Sequence, residues 1–448
     1  MTAKLILVTG STGYIASRLI PQLLERGYRV RALARNPKKL QAREWYSQVE
    51  ICTCQVNDPV SLPATLEGVH TAYYLIHNMS SGHGYTTLEV EGARNFAAAA
   101  EKAGVEHIIY LGGLADPEQH IAPHMRSRIE TGMTLRRSNV PVTEFRAGVI
   151  TGSGSISFEM IRFMAELFPV IPGPMWLKNK SQPIAVQNVI DYLLAALADP
   201  NRRGGVYEIG VQKTYTYLEL MKIYAERRGH KRKFILIPFV PIWFMAFGID
   251  LMTPVPYSIA YALVGGLSSD SVILHDTAEK TFPEVKLMEY ESAVGEAMKR
   301  LHPLKIERVW EDGSGRVKFV KHEGFFIDHR ETKIASGAKA MEAVKRFDQN
   351  GDRLFANWLW RLRGMFERLE NYYEIELQTE DHLLFRAKLR APGDGWMEWR
   401  VRGNMLTQTA YFAPRGSGGF LYWYLLYPFH AFVFRGLLKT IARKAVVQ

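Results

Sequence analysis

The chain has 448 residues, 47% of them hydrophobic and 23% charged, with a net charge of +11. That length exceeds one ordinary core, and that balance excludes a disordered or fibrous chain; two or three globular domains are expected. Only two cysteines are present, Cys52 and Cys54, and on a strand they would share a face yet lie too far apart to bridge without strain, which excludes a disulfide framework.

The predicted elements alternate from residue 4 to about 150. A strand at 4–8 leads to a helix at 14–26, which Gly27 stops. Strands follow at 29–33, 49–53 and 72–75. A helix at 86–103 stops at Gly104, before a strand at 107–111, a helix at 125–137 and a strand at 143–147. This rhythm predicts an α/β fold, a doubly wound parallel sheet with helices on both faces. Residues 1–155 form the expected nucleotide-binding domain. Residues 156–304, richer in proline, form a small substrate subdomain interleaved with it. A linker at 305–320 carries EDGSG, and 321–448 reads as an α+β domain of strands, helices and a long closing helix from about 420 to 444. The N-terminus enters its first strand without a charged leader and cleavage site, so a cytoplasmic location is expected, with a peripheral place on the inner face of the membrane as the alternative.

The strongest chemical signal is LILVTGSTGYIASRLI at 5–20, a glycine-rich turn between the first strand and the first helix. Gly10 permits the tight turn, Gly13 lets a pyrophosphate approach the backbone, and Ala16 keeps the helix close to the strand. The expected phosphate-side contacts are Gly10, Ser11, Thr12, Gly13, Tyr14 and Ile15, at a helix N-terminus that favours anions. The end of the second strand, RVRALARNPKKL at 29–40, holds no acid to grip a ribose 2′-hydroxyl. Arg35 stands there, with Lys38 close by, a pairing that suits a 2′-phosphate and favours NADP(H) over NAD(H). The plainer reading makes these residues solvated helix-start charges. Arg31 is expected to face the other way.

At these residues the chain resembles the atypical and extended short-chain dehydrogenase/reductases, especially the NmrA-like group, over about 1–300. The resemblance implies an adenine contact at CQVNDPVSL (54–62), through Gln55 and Val56, with Gln55 where the family has aspartate. It implies a cofactor lining at YYLIHNM (73–79), through Leu75, Ile76 and His77, and a nicotinamide-side loop at FRAGVITGSGS (145–155). The family's Tyr-x-x-x-Lys is replaced by HMRSR, with His124 and Arg128 in the tyrosine and lysine positions. The serine position falls on Gly112 or Gly113. Either His124 acts as the acid, helped by an ordinary pKa near 6.5, with Arg128 gripping ribose, or the site binds cofactor without hydride chemistry, as a redox sensor. His77 or Tyr85 is the other source of an acid. No CxxC, HExxH or paired Cys/His cluster appears, so no metal site is expected.

Two later features bear on ligands. RRGHKRK (227–233) precedes a strongly apolar stretch at 234–267, which reads either as the core of the substrate region or as an interfacial membrane anchor. Four prolines and Asp250 oppose a clean spanning helix, and Pro238 and Pro241 oppose a regular amphipathic one. At FANWLWRLRGMFERL (355–369), GDGWMEWRV (393–401), LTQTAYFAPRG (406–416) and LYWYLLYPFHAFVFRGLL (421–438) the C-terminal domain resembles a bacterial domain of unknown function and, more distantly, the START-like helix-grip fold, which implies an apolar cavity. Trp358, Trp360, Trp396, Trp399, Tyr411, Phe412 and Trp423 fit such a lining and fit a filled core equally. The expected partners are therefore a small hydrophobic substrate or lipid and a peripheral membrane contact. Nucleic acid is not expected, because no helix-turn-helix, zinc finger or RNP-type motif accompanies the basic charge.

Overall fold

The structure is a computed structural model that describes residues 3–41, 43–77, 85–252, 255, 257–305, 319–320, 325–346, 373–388 and 391–445. It divides into two compact units, the first mainly Met1–Ala165 and Val170–Arg300, the second mainly Gly313–Gln448.

In the first unit the elements run β1 (Leu5–Val8), α1 (Tyr14–Glu25), β2 (Arg29–Ala34), β3 (Glu50–Thr53), α2 (Leu62–Leu66), β4 (Thr71–Tyr74), α3 (Tyr85–Lys102), β5 (His107–Gly113), α4 (Pro123–Leu135) and β6 (Val142–Ala147). There follow α5 (Ile156–Leu167), β7 (Val170–Pro174), α6 (Val186–Ala198), β8 (Val206–Ile209), α7 (Tyr217–Arg227), β9 (Lys233–Ile237), α8 (Ile242–Met252), α9 (Tyr257–Gly266), α10 (Ala278–Thr281) and α11 (Tyr290–Lys299). Seven strands form one sheet in the order β8-β6-β5-β4-β1-β2-β3, and every neighbouring pair is parallel. The strand order reverses at β1, where chain connections leave to opposite sides and open a crevice at the carboxyl ends of the strands.

Alternation along the strands builds a core on each face. Ile6, Val8, Ala32, Tyr73, Ile109 and Phe145 pack with α1 and α6. Leu7, Leu33, Ala72, Tyr74, Ile108 and Tyr110 pack on the opposite face, with Phe96 of α3 and Leu135 of α4. Burial on both faces is what makes LILV a continuous apolar run. Gly27, with φ of +80°, turns the chain out of α1 into β2, as its place in the sequence predicts.

Three details extend the sequence reading. β5 runs on to Gly113, so the glycines at the serine position lie inside a strand. The apolar stretch 234–267 divides into β9, α8 and α9, and Pro238 and Pro241 fall in the connection before α8. Val206–Ile209, from the expected substrate subdomain, joins the edge of the main sheet beside β6.

The second unit has a six-stranded antiparallel sheet, β10 (Phe319–Val320), β11 (Phe326–Lys333), β12 (Tyr373–Gln378), β13 (His382–Ala387), β14 (Gly393–Arg402) and β15 (Met405–Pro414), in the order β10-β11-β15-β14-β13-β12. Helix α12 (Gly337–Lys345) and the 29-residue α13 (Gly416–Lys444) supply Val344, Leu437 and Ile441 to a core with Leu383, Trp399 and Leu406. The expected linker lies outside the described residues over 306–318, and Phe319–Val320 is already part of the sheet.

Candidate functional site

The site begins where β1 ends. Thr9, fully buried, donates its hydroxyl to the Tyr73 carbonyl at 3.0 Å and accepts from the Leu75 amide at 2.9 Å, which ties the ends of β1 and β4 together. Gly10 follows at φ +62°, and a Cβ there would lie 2.7 Å from the Leu75 carbonyl oxygen. No side chain fits that approach. The Gly13 amide closes the turn on the Gly10 carbonyl at 2.8 Å. Ser11 points inward: its hydroxyl donates to the Val8 carbonyl at 2.7 Å and its amide to Leu33 at 3.2 Å. It braces the turn from inside. Thr12, Tyr14 and Ile15 are half-buried at the rim, and Gly13 is exposed. As the first residues of α1, Tyr14 and Ile15 have amides with no intrahelical acceptor, and the helix dipole adds positive charge there.

Arg18 fixes this rim to the loop after β6. Its guanidinium lies 4.0 Å from the centre of the Tyr14 ring and donates to the carbonyls of Ser153, at 2.9 Å, and Tyr14, at 3.4 Å. Gly152 lets the loop approach, since a Cβ there would sit 2.4 Å from the Tyr14 hydroxyl.

On the adenosine side, Arg35 follows the last residue of β2 and is exposed, as is Lys38, whose amide donates to the Asn36 side chain at 3.1 Å. Arg31 faces elsewhere, held by Glu50 and by the carbonyls of Thr65 and Glu67. Gln55 is exposed beyond β3. Val56 is buried, close enough to Gly92 that a Cβ on that glycine would lie 2.9 Å from its side chain. Leu75 and Ile76 are partly exposed at the end of β4.

On the opposite side His77, His124 and Arg128 gather. His124, in the first turn of α4, is buried against Gly266 of α9. Burial first, and then the Arg128 charge, hold its pKa at about 3. The free-imidazole value expected from sequence therefore gives way to a ring that is neutral at pH 7, able to share a hydrogen bond but not to act as a resting imidazolium acid. Burial also takes His77 well below its ordinary value, with Arg128 and His124 acting the same way against a hydrogen bond to the Leu111 carbonyl. Tyr85 opens α3, and its side chain lies outside the described residues. A Cβ on Gly113 would lie 2.7 Å from Met125 Cε and 3.1 Å from Arg128 Cδ, so α4 packs its side chains closely against the end of β5. Ser127 of α4 donates to the buried Glu89 of α3. Among the described residues no cluster of three His, Cys, Asp or Glu side chains is placed to hold a metal.

Beyond β6 lies an apolar cavity of about 70 Å³, walled by Val149, Met160, Ile171, Met221, Ile249 and Val264 among others. In the second unit Trp423 stacks on Phe326 and on Phe412, at 5.3 and 5.7 Å between ring centres. These aromatics, with the buried Trp399 and Tyr411, fill a core; Trp358 and Trp360 lie outside the described residues.

The model of the NmrA-like family matches residues 2–261, and that of a protein family of unknown function, DUF2867, matches 367–437. A photosystem II assembly factor of Trieres chinensis is 26% identical over 242 residues, 52% of this chain and 72% of that protein. Among solved structures, a triphenylmethane reductase of Citrobacter sp. complexed with NADP(H) superimposes with a TM-score of 0.53 at 23% identity, covering 65% of this chain and 99% of that one. An NADPH-dependent quinone oxidoreductase of Escherichia coli complexed with NADPH does so with 0.53 at 19%, covering 65% and 99%.

Proposed function

The chain belongs to the NmrA-like family, and from that membership we propose that its first unit binds NADP(H) and serves as a reductase for an apolar substrate. The observation that carries the cofactor choice is Arg35, exposed at the carboxyl end of β2 in a stretch without an acid. The cradle fits a dinucleotide: Gly10 leaves no room for a side chain, Gly13 is exposed, and the first amides of α1 have no intrahelical acceptor. Gly13, Tyr14 and Ile15 would hold the pyrophosphate, Arg35 and Lys38 the 2′-phosphate, Gln55 the adenine, and Leu75, Ile76 and His77 the far half. The two solved neighbours carrying NADP(H) or NADPH support this assignment.

Bound NADPH would supply a hydride. The chain's part is to orient and exclude. Arg128 brings positive charge beside His77 and His124, where it can meet a ribose hydroxyl or a developing oxyanion. His124, neutral, offers a ring N–H to polarise a carbonyl. The cavity beyond β6 admits an apolar group of a few carbons and shields it from water. For the second unit, the long helix across an antiparallel sheet supports a START-like reading in which it holds the substrate or a related lipid.

One observation favours a second reading, a redox sensor that binds NADP(H) without turnover: glycines, Gly112 and Gly113, stand where the family has its serine. The deciding experiment titrates the purified chain with NADPH and NADH by fluorescence, then follows NADPH oxidation with a panel of quinones, enones and apolar ketones. The reductase reading expects tighter NADPH binding and oxidation with at least one acceptor. Tight binding with no oxidation across the panel moves the assignment to the sensor, and equal affinity for the two cofactors removes Arg35 as the selector.

A further inference from the structure

Helices α8 and α9 wall the cavity with one face and leave the other open and apolar. On α8, Met245 and Ile249 line the cavity, and Leu263 and Val264 do so from α9. On the outer side Trp243, Phe244, Phe247 and Leu251 are each more than half exposed. Their spacing puts them on one face of the helix. Tyr257 and Tyr261, one turn apart on α9, are exposed as well, as are Ile235 and Ile237 of β9, and Phe239 in the connection is 82% exposed. Scattered exposed apolar residues are ordinary; this many large ones within 27 residues are not.

The charged residues that lead into this stretch are mostly basic. Arg227, Lys231 and Lys233 are exposed immediately before it, and Arg232 anchors the run by donating to the Ala165 carbonyl at 2.6 Å. Between residues 230 and 267 the sequence holds a single acid, Asp250, whose carboxylate accepts the Tyr257 amide at 3.1 Å. Among the described residues no helix is long and apolar enough to cross a membrane. With 11 and 10 residues, α8 and α9 are half the length a span requires, about 20.

We infer that this surface docks on an anionic bilayer, with α8 and α9 lying in the plane of the interface. Phe239, Phe247 and Leu251 enter the acyl boundary. Trp243, Tyr257 and Tyr261 sit at headgroup depth, where rings with one polar edge are favoured, and Arg227, Lys231 and Lys233 meet the lipid phosphates. Because the same helices wall the cavity, an apolar substrate reaches it from the acyl layer without crossing water; this last step rests on the reductase reading, and the docking itself does not. A second copy of the chain is the weaker occupant, since a two-fold contact on this face brings two basic clusters together.

Flotation of the full chain with vesicles tests this, one set of phosphatidylcholine alone and one with phosphatidylglycerol added. The wild-type chain floats with the anionic vesicles, less so with the neutral ones, and less at high salt. The double variant Lys231→Glu, Lys233→Glu loses about tenfold or more of its binding to anionic vesicles. The variant Phe239→Ser, Phe247→Ser stays in solution with both. NADPH titration of each variant checks its fold, and quenching of wild-type tryptophan fluorescence by brominated phospholipid, diminished in Trp243→Phe, supplies a readout independent of those variants. Absence of both flotation and quenching at low salt overturns the inference. So does a dimer that Phe247→Ser dissociates while vesicle binding is unchanged. These measurements contain no substrate, so docking without NADPH oxidation retires the reductase reading alone, and oxidation without docking retires this one alone.

Discussion

Arg35 and His124 show how differently two residues present themselves to a reader of the sequence. Arg35 is legible because its meaning is local: it stands one residue past the second strand, where an acid would otherwise be. Replacing it with aspartate should weaken NADPH binding about 10- to 100-fold, the worth of one charge-assisted contact, and leave NADH nearly unchanged, as read by parallel fluorescence titrations. His124 is legible by position and not by state, because burial against α9 is a tertiary fact. Together with His107, also buried and near 3, it remains neutral when folded and returns to about 6.5 when unfolded. The unfolded chain therefore takes up these protons first. The stabilising effect is complete above pH 6.5 and declines as pH falls toward 3, by up to ~1.4 kcal/mol per pH unit for each histidine. Urea melts across that window should show the decline, and His124→Gln should reduce its slope by about one proton.

Elements were legible where burial imposes a clear period. β1, β4 and β5 bury both faces and read as apolar runs, and α1 lies where its pattern predicts. Val206–Ile209 is four residues with a charge among them, and only pairing with β6 makes it the seventh strand. The stretch 234–267 is apolar at almost every position, so neither a two-residue nor a 3.6-residue period stands out, and its division into strand and helices had to come from the structure. The packing of α1 on the loop after β6 was invisible for another reason: Arg18 and Ser153 are 135 residues apart. That clamp orients the start of α1. Arg18→Ala should lower thermal stability by about 1–3 kcal/mol and weaken NADPH binding by about tenfold, with melting curves and titration as the two checks. An unchanged affinity would show that the helix start holds its place without the clamp.

At the scale of the whole molecule, two units with separate hydrophobic cores predict two unfolding transitions in calorimetry. Saturating NADPH should raise one of them only, by about 2.7 kcal/mol at a hundredfold excess over Kd. Leu437→Ala, in the core of the second unit, should lower the other by about 2–5 kcal/mol. A single transition shifted by both would mean that the units unfold as one. The strand order of the main sheet also reaches into the biology of synthesis. β1 and β8 are separated by roughly 200 residues, which a ribosome takes about 10–40 s to make. During that interval the parallel sheet lacks its β8 edge, and pairings that need long crossovers form slowly. The four-stranded meander from β12 to β15 joins neighbours through short turns and can assemble almost as soon as it emerges. The unit made last is thus built to fold quickly, and the unit made first is the one that waits for its final strand.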